Sequence, residues 1–171
     1  MFEEAQAAYQ RGEYQTAASL FRAAAQGYLK ADEPLMAAEM ASNCSVALLM
    51  DGDAASSLAE ADQAQAVFER AGDRKRLALA IGNRAAALDG LHRTDDAIKA
   101  YEQCSEILKE LQEHELRAYV LQAISKIYLR KGRPLEAVTM MRVGVDNLPH
   151  PTLRQRLLKN LLELPFKLVQ G

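Results

Sequence analysis

Short polar turns interrupt the chain at a fixed spacing and separate segments that favour helix. The turn centres stand forty positions apart, at Gly12, Gly52, His92 and Gly132. Between the turns, apolar residues recur every three or four positions, which places them on one face of a helix. The pattern predicts a repeated pair of helices.

The same period governs the size of the side chains. We call the four residues that stand at the same offset from the turn in each repeat a column, and five columns show a consistent size. The three small columns are Ala5, Ser45, Ala85, Ser125; Ala17, Ser57, Ala97, Ala137; and Ala24, Ala64, Cys104, Gly144. The two mostly large, apolar columns are Ala8, Leu48, Leu88, Tyr128 and Tyr28, Phe68, Leu108, Leu148. Small residues allow helix axes to approach closely, and large ones fill the space between repeats. The columns therefore predict two packed helices per repeat.

This register sets the predicted helix boundaries. Helices are expected at about residues 2–11, 14–30, 33–50, 54–71, 73–90, 94–112, 114–131 and 134–148, with a closing helix from about 151. Asp32, Asp73 and Thr94 are predicted N-caps, because their side-chain oxygens can accept hydrogen bonds from free N–H groups. Pro165 is expected to end or kink the closing helix.

Composition supports an all-helical chain. By count, Ala and Leu supply 30 and 24 residues, whereas Val, Ile and Thr together supply 16. Sheets favour the opposite bias, because branched side chains fit pleated surfaces. Two cysteines cannot form a disulfide scaffold, so Cys44 and Cys104 are predicted to be reduced thiols in the core.

At these columns the chain resembles the tetratricopeptide repeat (TPR) family, in a variant with a 40-residue period. The matching segments are Gly12-x-Tyr14-x-x-Ala17-x-x-x-Phe21-x-x-Ala24, Gly52 to Ala64, Thr94-x-x-Ala97-x-x-x-Tyr101-x-x-Cys104, and Gly132-x-Pro134-x-x-Ala137-x-x-x-Met141-x-x-Gly144. The resemblance covers roughly residues 1–149, and Pro149 stands where that family often ends its second helix.

The resemblance implies an all-α fold, a right-handed α-solenoid of four helix-turn-helix repeats with a C-terminal capping helix. We expect one domain over residues 1–171, with repeats at about 1–32, 33–72, 73–112 and 113–150 and the cap and tail at 151–171. The period is longer than the family's usual one of about 34 residues, and His92 replaces a turn glycine. HEAT and armadillo repeats, with periods near 40–47, are the competing interpretation. The recurring turn and the Ala/aromatic/Ala offsets favour TPR.

Charge is unevenly distributed along a chain of net charge −2. Residues 1–60 hold nine acidic and three basic residues, whereas residues 116–171 hold three acidic and ten basic ones. No apolar run approaches the roughly 18 residues of a membrane span, and the first segment is too polar for a secretory signal. We therefore expect a cytoplasmic protein that does not bind membranes.

Residues for catalysis or metal binding are scarce. His92, His114 and His150 have no cysteine or carboxylate at ligand spacing. The chain lacks the HExxH, CxxC, GxGxxG, Walker and GxSxG motifs. We expect no cofactor, no metal and no enzymatic activity.

The resemblance implies a binding surface instead, because in this family the first helices of successive repeats line a concave groove that holds peptides or partner helices. The matching positions are Glu39, Asn43, Val46 and Met50 in the second repeat, Leu79, Asn83, Ala86 and Gly90 in the third, and Tyr119, Ala123, Lys126 and Arg130 in the fourth. Spacings of four, three and four positions place each set on one helix face.

Asn43 and Asn83 are the central candidates, because an amide can both donate to and accept from a peptide backbone. The alternative is that both amides only tie adjacent helices together. Asn83-Arg84-Ala85-Ala86 also looks like the carboxylate-gripping stretch of chaperone-binding members. That grip needs cations on the neighbouring first helices, where Glu39, Leu79 and Tyr119 stand, so we do not predict it.

The basic residues in the C-terminal part of the chain indicate which charge a partner should carry. Arg117, Lys126, Arg130, Lys131 and Arg133 lie on or beside the fourth repeat's first helix, so an acidic segment is the expected partner there. Nucleic acid is not expected, because the isoelectric point is about 6.0 and no RNA-binding motif is present.

The sequence thus predicts a non-catalytic protein-interaction module that holds an extended or helical segment in its concave groove. The alternative is a scaffold that self-assembles through its ends. Leu153, Leu157, Leu161 and Leu164 form the stripe of the predicted cap, and Phe166, Leu168 and Val169 form an apolar tail. With an acidic start and a basic end, these features predict weak, salt-sensitive association between copies.

Overall fold

The computed structural model of the protein describes residues 1–146 and 148. This part of the chain contains eight α-helices and no strand: α1 (Phe2–Gln10), α2 (Tyr14–Lys30), α3 (Pro34–Met50), α4 (Ala54–Ala71), α5 (Arg74–Gly90), α6 (Thr94–Glu110), α7 (His114–Arg130) and α8 (Pro134–Asp146). Each predicted boundary lies within two residues of the observed one. The predicted closing helix, Pro149 and the tail fall outside the described residues.

Seven turns with the same backbone geometry connect these helices. Each contains one residue with positive φ, and these residues recur at every twentieth position: Gly12, Asp32, Gly52, Gly72, His92, Gln112 and Gly132. At Gly52, for example, the Gly52 N–H donates to the Leu49 carbonyl at 3.1 Å and the Asp53 N–H donates to the Leu48 carbonyl at 2.9 Å. The same two bonds recur at all seven turns, which makes each a Schellman motif.

The residue after each positive-φ position immediately precedes the next helix. Asp53 and Asp73 cap α4 and α5, each accepting a backbone N–H hydrogen bond at 3.0 Å, so the prediction for Asp73 is confirmed. The prediction for Asp32 is wrong, because Asp32 itself takes the positive φ and Glu33 stands at the cap. Thr94 is also not a cap, because it is the first residue within α6.

Packing is described separately for two compact units, residues 1–100 and 101–171. In the first unit each of α1 to α4 packs against the next helix, and α3 also contacts α5 directly although α4 lies between them in the chain. In the second unit α7 packs against α8. Among the described residues, no helix is long and apolar enough to cross a membrane.

The three small columns of the sequence are buried in all four repeats. Gly144 shows why one of them is small, because a Cβ there would lie 3.4 Å from the Ala118 Cα in the neighbouring helix. The predicted helix register is therefore confirmed by burial.

Cys44 and Cys104 are both buried and form no disulfide within the described part of the chain, as predicted. The Cys44 Sγ donates a hydrogen bond to the Ala18 carbonyl at 3.3 Å. Burial raises the pKa of the Cys44 thiol to about 12, and the nearby Glu60 carboxylate adds to this effect. Cys44 is therefore a packing residue that stays protonated at neutral pH.

Two of the small columns meet in the second repeat, and their serines are paired differently from one repeat to another. In the second repeat the Ser45 and Ser57 hydroxyls are 3.2 Å apart and share a hydrogen bond. In the fourth repeat the equivalent positions are Ser125 and Ala137, and the buried Ser125 hydroxyl has no hydrogen-bond partner within the described chain. One repeat thus satisfies its buried hydroxyls, while another leaves one unpaired.

The turns generate the first prediction. Gln112→Gly should raise the free energy of unfolding by about 1 kcal/mol, because a side chain with a Cβ is strained at positive φ. Gly52→Ala should lower it by a similar amount, and its cause would be conformational because no atom lies within 4 Å of the added Cβ. Urea unfolding measures both, with Gln112→Ala as the control that keeps the strain. A gain in Gln112→Ala equal to that in Gln112→Gly would contradict the explanation.

The serine columns generate the second prediction. Ser45→Ala should cost roughly 1–3 kcal/mol, because it leaves the Ser57 hydroxyl buried and unpaired. The double variant Ser45→Ala/Ser57→Ala should recover most of that loss, and Ser125→Ala should not destabilise the chain. Thermal or urea unfolding gives the comparison. If the double variant is less stable than Ser45→Ala, hydrogen-bond pairing is not the cause.

Candidate partner-binding surface

The first surface feature is an open groove between α3 and α5, with a volume of about 400 Å³. We call it the α3–α5 groove; it is lined by Glu39, Ser42, Asn43, Phe68, Asp73, Lys75, Arg76 and Leu79. Most of these residues belong to α3 and α5, the first helices of the second and third repeats. Phe68 is contributed by α4 and is almost fully buried, whereas Leu79 is 40% exposed. The groove thus combines an exposed apolar side chain with a polar rim.

A smaller depression of about 210 Å³ lies between α1 and α3. This α1–α3 groove is lined by Gln6, Tyr9, Gln10, Phe21, Asn43 and Val46. No side chain in this lining carries a charge at neutral pH. It offers amides and aromatic surface, unlike the charged rim of the α3–α5 groove.

Asn43 lines both grooves and therefore stands where they adjoin. Its side chain is half-buried and makes no hydrogen bond with any other described residue. A free amide at this point presents both a donor and an acceptor to whatever occupies the grooves.

Asn83, the equivalent residue in the next repeat, is held differently. Its amide nitrogen donates to the Ser42 hydroxyl at 3.0 Å and approaches the Ser42 carbonyl at 3.4 Å. This amide therefore ties α5 to α3, which is the structural alternative to peptide binding. The two asparagines share a register position but not an environment, because α3 presents Ser42 to Asn83 at the interface of the two helices.

A second link between α3 and α5 is ionic. The Arg76 guanidinium lies 3.0 Å from a Glu39 carboxylate oxygen and 3.3 Å from an Asp73 carboxylate oxygen. Asp73 also accepts the Arg76 backbone N–H, because it caps α5. All three side chains are partly exposed, so solvent screens the pairing and leaves it open to exchange.

The other predicted groove residues of α3 and α5 differ in their placement. Val46 lies in the α1–α3 groove, Glu39 and Leu79 lie in the α3–α5 groove, and Met50 is 51% exposed at the end of α3. Ala86 is half-buried on α5. Gly90 is a close-approach position, because a Cβ there would lie 3.0 Å from the Ala54 Cβ.

In the second unit, the predicted face of α7 is exposed and basic. Tyr119 is 74% exposed, and Lys126 and Arg130 are also exposed, whereas Ala123 is half-buried. Arg117, predicted to belong to the basic cluster, is buried and donates from its Nε to the Ser105 hydroxyl at 3.2 Å. It therefore stabilises the α6–α7 packing and adds little to the surface of the cluster.

Sequence reasoning missed Gln6, Tyr9 and Gln10, because the short first helix is not expected to contribute to the groove. The signal was present, since Gln6 and Gln10 stand forty positions before Val46 and Met50. It also missed the role of Ser42 and Arg76, which lie outside the five columns. Only the contact between α3 and α5 reveals them.

Across the described residues, no group of three or more His, Cys, Asp or Glu side chains could hold a metal ion. The surface therefore offers hydrogen-bonding, ionic and apolar contacts to an occupant. Most of the residues that make these contacts belong to α1, α3 and α5 in the first unit.

Comparison with known proteins identifies the fold. No protein-family model matches the chain, and no curated protein matches it. Among solved structures, it is similar to the nearly identical TPR-like repeats of a kinesin light chain-like protein from Podosopora anserina, with 18% identity and a TM-score of 0.75 over 99% of this chain and 86% of that chain. Another crystal structure of those repeats gives 18% identity and a TM-score of 0.74, with the same coverage.

These likenesses show a TPR-like α-solenoid fold and set aside the HEAT and armadillo interpretation. At 18% identity they carry information about fold alone. What the surface binds has to be argued from its own residues.

Proposed function

We propose that this chain is a non-catalytic protein-interaction module whose α1–α3 and α3–α5 grooves bind an extended or helical segment of another protein. TPR-like repeats commonly serve as protein-interaction modules, which is the general role expected of this fold. The observation that carries the specific proposal is Asn43, a half-buried amide without a partner among the described residues, at the junction of the two grooves.

The geometry favours a polypeptide occupant over a small molecule. The two grooves are open and adjoin at Asn43, whereas sites for small molecules are concave pockets that enclose most of the ligand. A polypeptide can place side chains in both grooves while its backbone bonds to Asn43, since each peptide group offers one donor and one acceptor. Leu79 supplies exposed apolar surface for one of those side chains.

The proposal includes no catalysis, cofactor or metal. The groove carboxylates already have structural partners, since Glu39 and Asp73 pair with Arg76. Catalytic carboxylates and bases usually show perturbed pKa values within a cleft, whereas Cys44, whose thiol pKa is raised, lies in the core. The expected cytoplasmic location stays a prediction.

Two further expectations from the sequence stay predictions. The exposed basic face of α7, with Tyr119, Lys126 and Arg130, is suited to an acidic protein segment, and the expectation that neither a membrane nor a nucleic acid is a partner stays a prediction. Self-assembly through the ends depends on Phe166, Leu168 and Val169, which lie outside the described residues.

The third prediction tests the groove. A displayed library of short random peptides is selected on the purified protein, and the affinity of an enriched peptide is measured by titration. Asn43→Ala should weaken binding roughly three- to tenfold, because one peptide-backbone hydrogen bond contributes about 0.5–1.5 kcal/mol. Its stability should be unchanged, since Asn43 makes no hydrogen bond to the described chain.

Two controls separate binding from folding. Gln63→Ala removes an exposed amide from α4 outside both grooves and should alter neither affinity nor stability. Asn83→Ala should lower the free energy of unfolding by about 1 kcal/mol, because it breaks the bond to Ser42. Equal affinity in Asn43→Ala and the unaltered protein would remove the support for the proposed site.

A further inference from the structure

The ionic link across the α3–α5 groove is unbalanced. Two carboxylates, those of Glu39 and Asp73, converge on the single guanidinium of Arg76. The other basic residue in the groove lining, Lys75, already has an interaction of its own. The groove therefore contains one carboxylate more than Arg76 needs.

The two carboxylates are not equivalent. Asp73 is fixed, because its Oδ1 accepts the Arg76 backbone N–H at 3.0 Å while its Oδ2 pairs with the guanidinium. Glu39 reaches Arg76 from α3, and the structure gives it no other ion pair within the described chain. Glu39 can therefore leave Arg76 without breaking a helix cap, and Arg76 would still keep Asp73.

We infer that the segment bound in the α3–α5 groove is basic and that a Lys or Arg side chain of it pairs with Glu39, beside Asn43 and Leu79. The inference rests on the proposed function and specifies the chemistry of the partner. When the incoming cation pairs with Glu39, Arg76 still pairs with Asp73. Each of the three charged groups therefore keeps a partner of opposite charge.

An acidic occupant fits the groove poorly. Its carboxylate would have to join Arg76 as a third negative charge beside Glu39 and Asp73, and like charges repel. The surrounding unit adds to this effect, since residues 1–100 hold 15 acidic and ten basic residues. A negative field of this kind attracts basic segments and speeds their association.

The fourth prediction tests the sign of the charge. Among the peptides that the random library yields on the full chain, those that lose affinity on Asn43→Ala should be enriched in Lys and Arg and depleted of Asp and Glu. For an enriched peptide, Glu39→Gln should weaken binding by up to about fivefold, the upper end of the range expected of a partly exposed ion pair. Arg76→Gln should strengthen binding, because it frees Glu39 from its internal partner.

Glu69→Gln is the matched control, because it removes the same charge from an exposed position on α4 outside the groove lining. It should change affinity much less than Glu39→Gln does. Urea unfolding of each variant checks that the fold is retained, and Asn43→Ala reports on the groove independently of charge.

The outcomes separate this inference from the proposed function. Peptides that depend on Asn43 but not on Glu39, or acidic peptides that Arg76→Gln weakens, would overturn the basic partner and leave the groove as the binding site. Failure to enrich any peptide would overturn both. Sedimentation of the full chain gives a further outcome. If the chain self-associates and Glu39→Gln abolishes the self-association, the groove binds a second copy of the chain, and the inference would also be overturned.

Discussion

The Schellman turn that recurs at every twentieth position is the constraint on which the rest of this structure depends. Each turn closes one helix with two backbone hydrogen bonds, and the next helix begins two positions after the positive-φ residue. Helices α2 to α7 are consequently 17 or 18 residues long. At a rise of about 1.5 Å per residue, each of them extends for roughly 25 Å. Helices of equal length can pack side by side along their whole extent, so no turn need be buried.

Backbone and side chains therefore follow different periods. The backbone repeats at every twentieth position, because each turn uses the same geometry whether it lies within a repeat or between repeats. Side-chain size repeats at every fortieth, because the two helices of a repeat pack in different environments. The columns reveal the 40-residue period in the sequence, and the register that they set predicts every described helix boundary within two residues. The shorter period was hidden, because Asp32 and Gln112 hold the turn conformation without the glycine that signals it.

The candidate site was less predictable, for a physical reason. Register places Asn43 and Asn83 on equivalent helix faces, but it does not say what the neighbouring helix presents to them. Ser42 takes the Asn83 amide, whereas Asn43 remains without such a partner among the described residues. Whether the asparagine at this register position bonds to the neighbouring helix depends on Ser42, which stands one position before Asn43. Ser42 belongs to none of the five columns, so the columns could not predict this bond. The same holds for Arg76, which also lies outside the five columns.

The contact between α3 and α5 determines both what is rigid and what can be exchanged in the groove. Asn83 and Ser42 use neutral groups to hold the two helices together, while Glu39 and Arg76 span the same interface with a partly exposed ion pair. A neutral bond between half-buried groups is costly to break, because a polar group would be left unpaired. A partly exposed ion pair is weaker and can be replaced by a pair of the same kind. The fold can therefore keep its helix spacing through the amide while Glu39 changes partner, so that binding does not require the repeats to separate.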